Sequence, residues 1–190
     1  RCLRAWGREV AAIPVTGASI DTTLTHGWEL PLLSSERVGE ALRSAGVVLD
    51  GILGTGAKGP PREAEAALVR EINDSGAAVL ALDGPTGVDL TTGRVEGEAV
   101  RASATVTFGA AKVGLAVAPG RFHAGSVHIA PIGLRPREHE HALVPASALL
   151  GVPRKGATST KYSAGSVLIV GGSRGLTGAP MLSALAAFRA

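Results

Sequence analysis

Four short, continuously apolar runs, each ending in a Gly- or Asp-bearing loop, limit this chain's fold more than any other feature. They are VVLDGIL (47–53), AAVLALD (77–83), ATVTFGA (104–110) and SVHIAPI (126–132). A strand with one wet face alternates apolar and polar residues. Runs without that alternation are buried on both faces, as in a parallel sheet covered by helices. PREAEAALVREINDSG (61–76) lies between the first two runs and predicts a helix. Pro61 suits the first turn, Glu63 favours the positive end of the helix dipole, and Ala64, Ala67, Leu68, Glu71 and Ile72 predict its inward face. SSERVGEALRSAG (34–46) predicts a second helix, with a Ser N-cap and a closing Gly, and EVAAIPV (9–15) a further short strand. RCLRAWG (1–7) reads as a helix tail stopped by Gly7. Strands alternating with helices give the α/β class.

Composition narrows the partners. The apolar fraction of 45% and charged fraction of 18% exclude a disordered or fibrous chain. No apolar run approaches the ~20 residues that cross a bilayer, so no membrane partner is expected. Positive residues number 19 against 16 negative ones, but aromatics are 3%, too few for a stacking platform, so no nucleic acid is expected either. Cys2 is alone, which excludes an internal disulfide and a cysteine metal cluster and fits a reducing compartment; the expected location is cytoplasmic. At 190 residues there is room for one domain, or one domain and part of another. The start at Arg1 and the apolar end APMLSALAAFRA lead us to expect an internal fragment.

The rhythm breaks at 135–153, RPREHEHALVPASALLGVP, which reads as a solvated linker. His139 and His141 stand there beside Glu138 and Glu140, but the segment is charged and Pro-flanked, and we expect no metal site in it. After it, SVLIVGGSRGLTGAPMLSALAAFRA (166–190) reads as a strand, a Gly-rich loop and a helix that open a second α/β unit. Pro180 at the helix start fits a phosphate- or cofactor-facing N-terminus, and a plain connecting turn fits equally well.

Two loops carry chemistry. Gly54-Thr55-Gly56-Ala57-Lys58-Gly59 formally matches G-x-G-x-x-G. Three residues separate Asp50 from its first glycine, and Pro60-Pro61 place the helix only after the third, which departs from the dinucleotide fingerprint. A Gly-rich loop with a lysine before a helix still suits an anion. In ALDGPTGVD (81–89), Asp83 ends a strand as Asp50 ends the one before it. A single strand-end Asp is more often a turn cap. Two of them beside a Gly-Lys loop favour a site that holds a cation or performs acid/base work.

With these residues in view, 9–134 resembles the NAD(P)H-hydrate epimerase domain. The matching blocks are VVLDGILGTGAKGPPRE, AVLALDGPTGVDLTTGRVEGEAVRASATVTFGAAKVGL and GSVHIAPIGL. Residues 154–190 resemble the start of the ADP/ATP-dependent NAD(P)H-hydrate dehydratase domain. The two occur fused in this order in bifunctional NAD(P)H-hydrate repair enzymes. The resemblance implies a Rossmann-like three-layer α/β/α sandwich over 1–134, with its N-terminal part missing, then the first strand–loop–helix of a ribokinase-like domain. It implies a potassium ion held by Asp50 and Thr86. It implies substrate binding by Gly54, Thr55, Gly56, Ala57, Lys58, Gly59 and Pro60, by Asp83, and by Ala179 in the second unit. Asp83 is then the acid/base group, with Lys58 as its electrostatic helper; Lys112 receives no catalytic part. NADH and NADPH hydrates are the implied substrates, and ADP or ATP with magnesium the implied requirement of the dehydratase. A homo-oligomer is the implied assembly. Gly84 stands where the family usually has Ile, which implies a looser turn, and the family's Asn-Gly-Gly-Asp-Gly loop is not in this sequence. Two other classes remain: a nicotinamide-dependent oxidoreductase, resting on Gly54–Gly59, and a non-catalytic nucleotide-binding module.

Overall fold

The computed structural model describes residues 6–15, 31–134, 142–151, 156–160, 162–163 and 165–189. The chain divides into two compact units, Arg1–Ala142 and Leu143–Ala190.

The first unit is built on a four-stranded sheet in the order β1-β2-β3-β4, with every pair parallel. The strands are β1 (Val47–Asp50), β2 (Ala78–Leu82), β3 (Ala104–Phe108) and β4 (Ser126–Ala130), one in each of the four apolar runs. Helix α1 (Ser35–Ser44) precedes β1, and α2 (Glu63–Asp74) crosses from β1 to β2. Short 3-10 turns at Val113–Leu115 and Gly120–Phe122 lie between β3 and β4. The expected α/β class with a parallel sheet is therefore what the chain adopts.

Two apolar clusters hold the unit. In the first, Val38 and Leu42 of α1 and Val69 and Ile72 of α2 pack with Val79 of β2 and Val100. In the second, Val88, Leu90, Ala99, Leu115 and Ala124 pack together, with Val95, and Val127 of β4, against them. Burying each of the Val, Leu and Ile side chains contributes about 1.5–3 kcal/mol relative to exposure. Asn73 ties α2 to the segment before β3. Its amide donates to the Ala99 carbonyl at 2.9 Å, and its oxygen accepts from the Arg101 N–H at 2.8 Å.

Several local expectations change. The buried stripe of α2 is Ala66, Val69 and Ile72, while Ala64 and Glu71 are exposed. Ala67 and Leu68 are half-buried beside that stripe. The N–H of Arg62 donates to the Glu65 carboxylate at 2.8 Å, closing the first turn one residue after Pro61. Ser34 occupies the N-cap of α1, yet its hydroxyl makes no capping bond. EVAAIPV yields only an isolated parallel bridge between Ala12 and Leu32. The helix-tail expectation for 1–5 lies outside the described residues, as does the linker stretch 135–141 with His139 and His141.

In the second unit a 3-10 turn covers Ala146–Gly151 and a helix, α3, covers Gly178–Arg189. The expected strand SVLIV has no ladder among the described residues, and Val167, Leu168 and Val170 are 72%, 88% and 88% exposed. An apolar run becomes a strand only when a neighbour takes its backbone hydrogen bonds.

Candidate functional site

Ligands of open α/β sheets sit outside the carboxyl ends of the strands. Three loops meet there: 50–61 after β1, 83–90 after β2 and 108–115 after β3. The register sets their heights. Asp50 pairs with Ala81, so Asp83 lies two residues, roughly 6–7 Å, further along its strand.

Asp50 is sealed in. Its side chain is 1% exposed, and Thr86 beside it is fully buried. The Thr86 N–H donates to Asp50 Oδ2 at 2.8 Å, the Thr86 hydroxyl to Oδ1 at 2.7 Å, and the Ile52 N–H to Oδ1 at 3.3 Å. Burial pushes the Asp50 carboxyl up, against the lowering effect of these bonds. The Leu53 N–H donates to Thr86 Oγ1 at 3.1 Å, so one Asp–Thr pair locks the loop after β1 to the loop after β2. The ion pairs among the described residues are Arg70 with Glu63 and Glu98, and Lys112 with Asp83, which leaves Asp50 without a cationic partner there. No group of three or more His, Cys, Asp or Glu side chains suited to a metal occurs among the described residues. A carboxylate and a hydroxyl side by side are hard oxygen donors, and a buried carboxylate lacking a counter-charge fits a cation of the alkali or alkaline-earth type.

Asp83 is held differently. Its φ is +68°, in the left-handed region, and its N–H still reaches the Val106 carbonyl at 2.7 Å, prolonging the β2–β3 ladder. Its two oxygens serve two loops. Oδ1 accepts from Lys112 Nζ at 2.7 Å, the Phe108 N–H at 3.2 Å and the Thr107 hydroxyl at 3.3 Å. Oδ2 accepts from the Thr55 N–H at 3.2 Å and, over a short bond, from the Thr55 hydroxyl. Gly54 lies beside this carboxylate, where a Cβ would stand in ordinary van der Waals contact with the Asp83 side chain. Burial alone would raise the Asp83 carboxyl, but Lys112, Thr55 and the Phe108 N–H outweigh it and hold the group well below the usual carboxylate range.

The structure thus brings Asp50, Thr86, Gly54, Thr55 and Asp83 to one sheet edge. Lys58 is exposed and forms no ion pair with Asp83. Asp89 is lowered chiefly by hydrogen bonds from the Thr92 and Thr91 N–H groups, with a smaller coulombic contribution from Lys58. The lysine against Asp83 is Lys112, which sequence reasoning left without a part. Its one signal was a position four residues after Phe108, at the carboxyl end of β3. Ala179 lies in the first turn of α3 in the second unit, where its carbonyl accepts from the Ser183 hydroxyl at 3.0 Å. The expected looseness at Gly84 is absent, since Gly84 and Pro85 are buried and the Leu90 side chain fills the space that a residue larger than Gly would need.

Residues 18–114 match the family profile described as YjeF-related protein N-terminus. The chain is 43% identical over 147 residues to the bifunctional NAD(P)H-hydrate repair enzyme Nnr of Pyrobaculum aerophilum, covering 77% of this chain and 29% of that protein. It is 39% identical over 174 residues to the protein of the same name from Moorella thermoacetica, covering 86% and 33%. The bifunctional NAD(P)H-hydrate repair enzyme of Leishmania major is 36% identical over 149 residues, covering 73% and 26%. The chain therefore spans about a third of the length of these relatives or less. The crystal structure of yeast ynu0 superposes with a TM-score of 0.57 at 16% identity, over 74% of this chain and 66% of that one, a likeness of fold.

Proposed function

The chain belongs to the YjeF-related protein N-terminus family, and from that premise we propose that it epimerises the R and S hydrates of NADH and NADPH as part of a nicotinamide nucleotide repair enzyme. The observation that carries this reading is the Asp83 carboxylate, poised over the glycine loop at the sheet edge in a chain 43% identical over 147 residues to a bifunctional NAD(P)H-hydrate repair enzyme.

The chemistry asks little of the protein. Hydration places a hydroxyl on the carbon next to the ring nitrogen. Once the hydroxyl takes a proton from solvent, the nitrogen lone pair can expel it as water to leave an iminium ion, to which water adds back with return of the proton. Alternatively the carbon–nitrogen bond breaks, the hydroxyl becomes a carbonyl and its proton passes to nitrogen. Either species closes from both faces, which scrambles the stereocentre. A general base needs an available lone pair and a moderate pKa. Asp83 accepts five hydrogen bonds and stays ionised, so it suits the task of stabilising positive charge on the ring better than that of carrying a proton. The glycine loop 54–60 offers backbone N–H groups to the pyrophosphate, with Lys58 adding positive charge. Asp50 and Thr86 would hold potassium, whose charge offsets the buried carboxylate and the substrate phosphates.

In this reading, ATP- or ADP-dependent dehydration of the S-hydrate, with magnesium, belongs to a following domain that begins within 154–190, where Ala179 would contact the hydrate. A cytoplasmic setting and a homo-oligomer accompany the same proposal.

The test is direct. R- or S-NADPH hydrate with potassium is incubated with the protein, and the epimer ratio is followed by chromatography. The mixture is expected to reach equilibrium much faster than without protein. Asp83→Asn is expected to slow the approach by about 10²-fold or more. An unchanged ratio with the wild-type protein overturns the reading.

A further inference from the structure

We propose that Lys112 is a positioning residue for this reaction: its ammonium, bridging Asp83 Oδ1 and the Phe108 carbonyl, fixes the Asp83 carboxylate so that Oδ2 is the oxygen presented to the substrate loop. The assignment of a reaction rests on the epimerase reading; the control of Asp83 by Lys112 stands on geometry alone.

Both bonds of the bridge are 2.7 Å, the length of strong charge-assisted contacts. The Lys112 and Asp83 side chains are only 20% and 16% exposed, so water screens the pair weakly. The Phe108 carbonyl sits at the last residue of β3 and accepts from the lysine ammonium as well as from the Ala110 N–H. The chain is arranged to return the lysine to this point. Gly109 turns with φ +75°, the Ala110 N–H closes back on Phe108 O at 2.9 Å, and Lys112 begins the Val113–Leu115 turn.

The partition of donors gives the pair its meaning. Oδ1 is committed to three donors that all come from the end of β3 and the loop behind it. Oδ2 is committed to one residue, Thr55, which is exposed and belongs to the glycine loop. Removing a Thr55 contact frees Oδ2 without disturbing the sheet, whereas freeing Oδ1 requires the β3 end to open. Substrate therefore meets Oδ2. Lys112 is the cation that keeps the carboxylate from rotating and keeps it charged while Thr55 exchanges with a ligand group. The charged group facing Asp83 is Lys112; its other donors, Thr55, Thr107 and the Phe108 N–H, do not titrate in the relevant range.

The experiment compares the protein with Lys112→Met, Lys112→Gln and Lys112→Arg, each first checked for cooperative thermal unfolding. In substrate-free protein the Asp83 side-chain carboxyl is followed by carbon-13 NMR as pH is lowered. Loss of the ammonium is expected to raise the Asp83 midpoint by about 1–3 pH units, and Arg is expected to keep it low. With NADPH hydrate, Lys112→Met is expected to lower kcat about tenfold or more with KM changed less than about threefold, Arg restoring part of the rate. Asp83→Asn combined with Lys112→Met is expected to be no slower than Asp83→Asn alone, because one residue acts through the other. An unmoved midpoint in both neutral variants, or losses that multiply in the double variant, overturns the proposal. If the wild-type protein does not interconvert the hydrates, the epimerase reading fails, and the midpoint still decides whether Lys112 governs Asp83.

Discussion

At the residue scale, the two strand-end aspartates show how neighbours decide what one carboxylate becomes. Asp50 meets only neutral donors in a sealed pocket and is pushed up; Asp83 meets Lys112 and is pushed down. The second case has a stability consequence with a definite sign. Unfolded, Asp83 titrates at about 3.9. Because its folded value is lower, its contribution is complete above that pH and is lost as pH falls toward the folded value. Thermal melts between about pH 5 and pH 2 are expected to show the wild type losing stability more steeply than Asp83→Asn. Gly87 gives a second prediction. Its φ is +89°, and an added Cβ would run into the Glu98 carbonyl and Ala99. Gly87→Ala is expected to cost more than about 1 kcal/mol, read as a lower denaturant midpoint at unchanged slope.

At the scale of elements, the four sheet strands were legible because each is a short run rich in apolar and β-branched residues and each is followed by a loop-forming residue; β3 (ATVTF) and β4 (SVHIA) alternate, and β3 buries Thr105 and Thr107. Pro61 and the acidic first turn marked the start of α2 to within two residues, but Pro61 precedes the N-cap, Arg62, and lies outside the first turn. EVAAIPV and SVLIV are also apolar, yet among the described residues neither forms a ladder, since a strand needs a neighbour to take its backbone hydrogen bonds. Likewise, Asp50, Asp83 and the glycine loop could be read from their places after strands. The Lys112–Asp83 pair spans 29 residues and arises from the order of β2 beside β3, which no local pattern encodes. The link between the glycine loop and β2 is equally non-local and rests on Thr55. Thr55→Val removes the hydroxyl bond to Asp83 and leaves the N–H bond. Because the substrate then has no hydroxyl to displace from Oδ2, KM for the hydrate is expected to fall by about threefold to tenfold, with little change in melting temperature because Thr55 is exposed.

At the scale of the whole molecule, the sheet and its two clusters form the scaffold of the first unit, and the candidate site lies at one edge of that sheet. Ligands are then expected to stabilise the chain by mass action. NADPH hydrate at about 100 times its Kd contributes about 2.7 kcal/mol, seen as a raised melting temperature. Potassium is expected to raise it further than sodium at equal ionic strength, and Asp50→Asn to abolish that difference; equal effects of the two ions would remove potassium from the site. The left-handed backbone at Asp83 has a further consequence, for heredity. Only Gly, Asn and Asp occupy that conformation at low cost. A library of all substitutions at position 83 should therefore sort twice. A screen for folding would retain those three residues and discard most others, and a screen for turnover would retain Asp alone. Drift at this codon is channelled through two neutral-charge intermediates that fold but do not work, so a lineage that loses the activity here can keep the protein and regain the function by a single reversion.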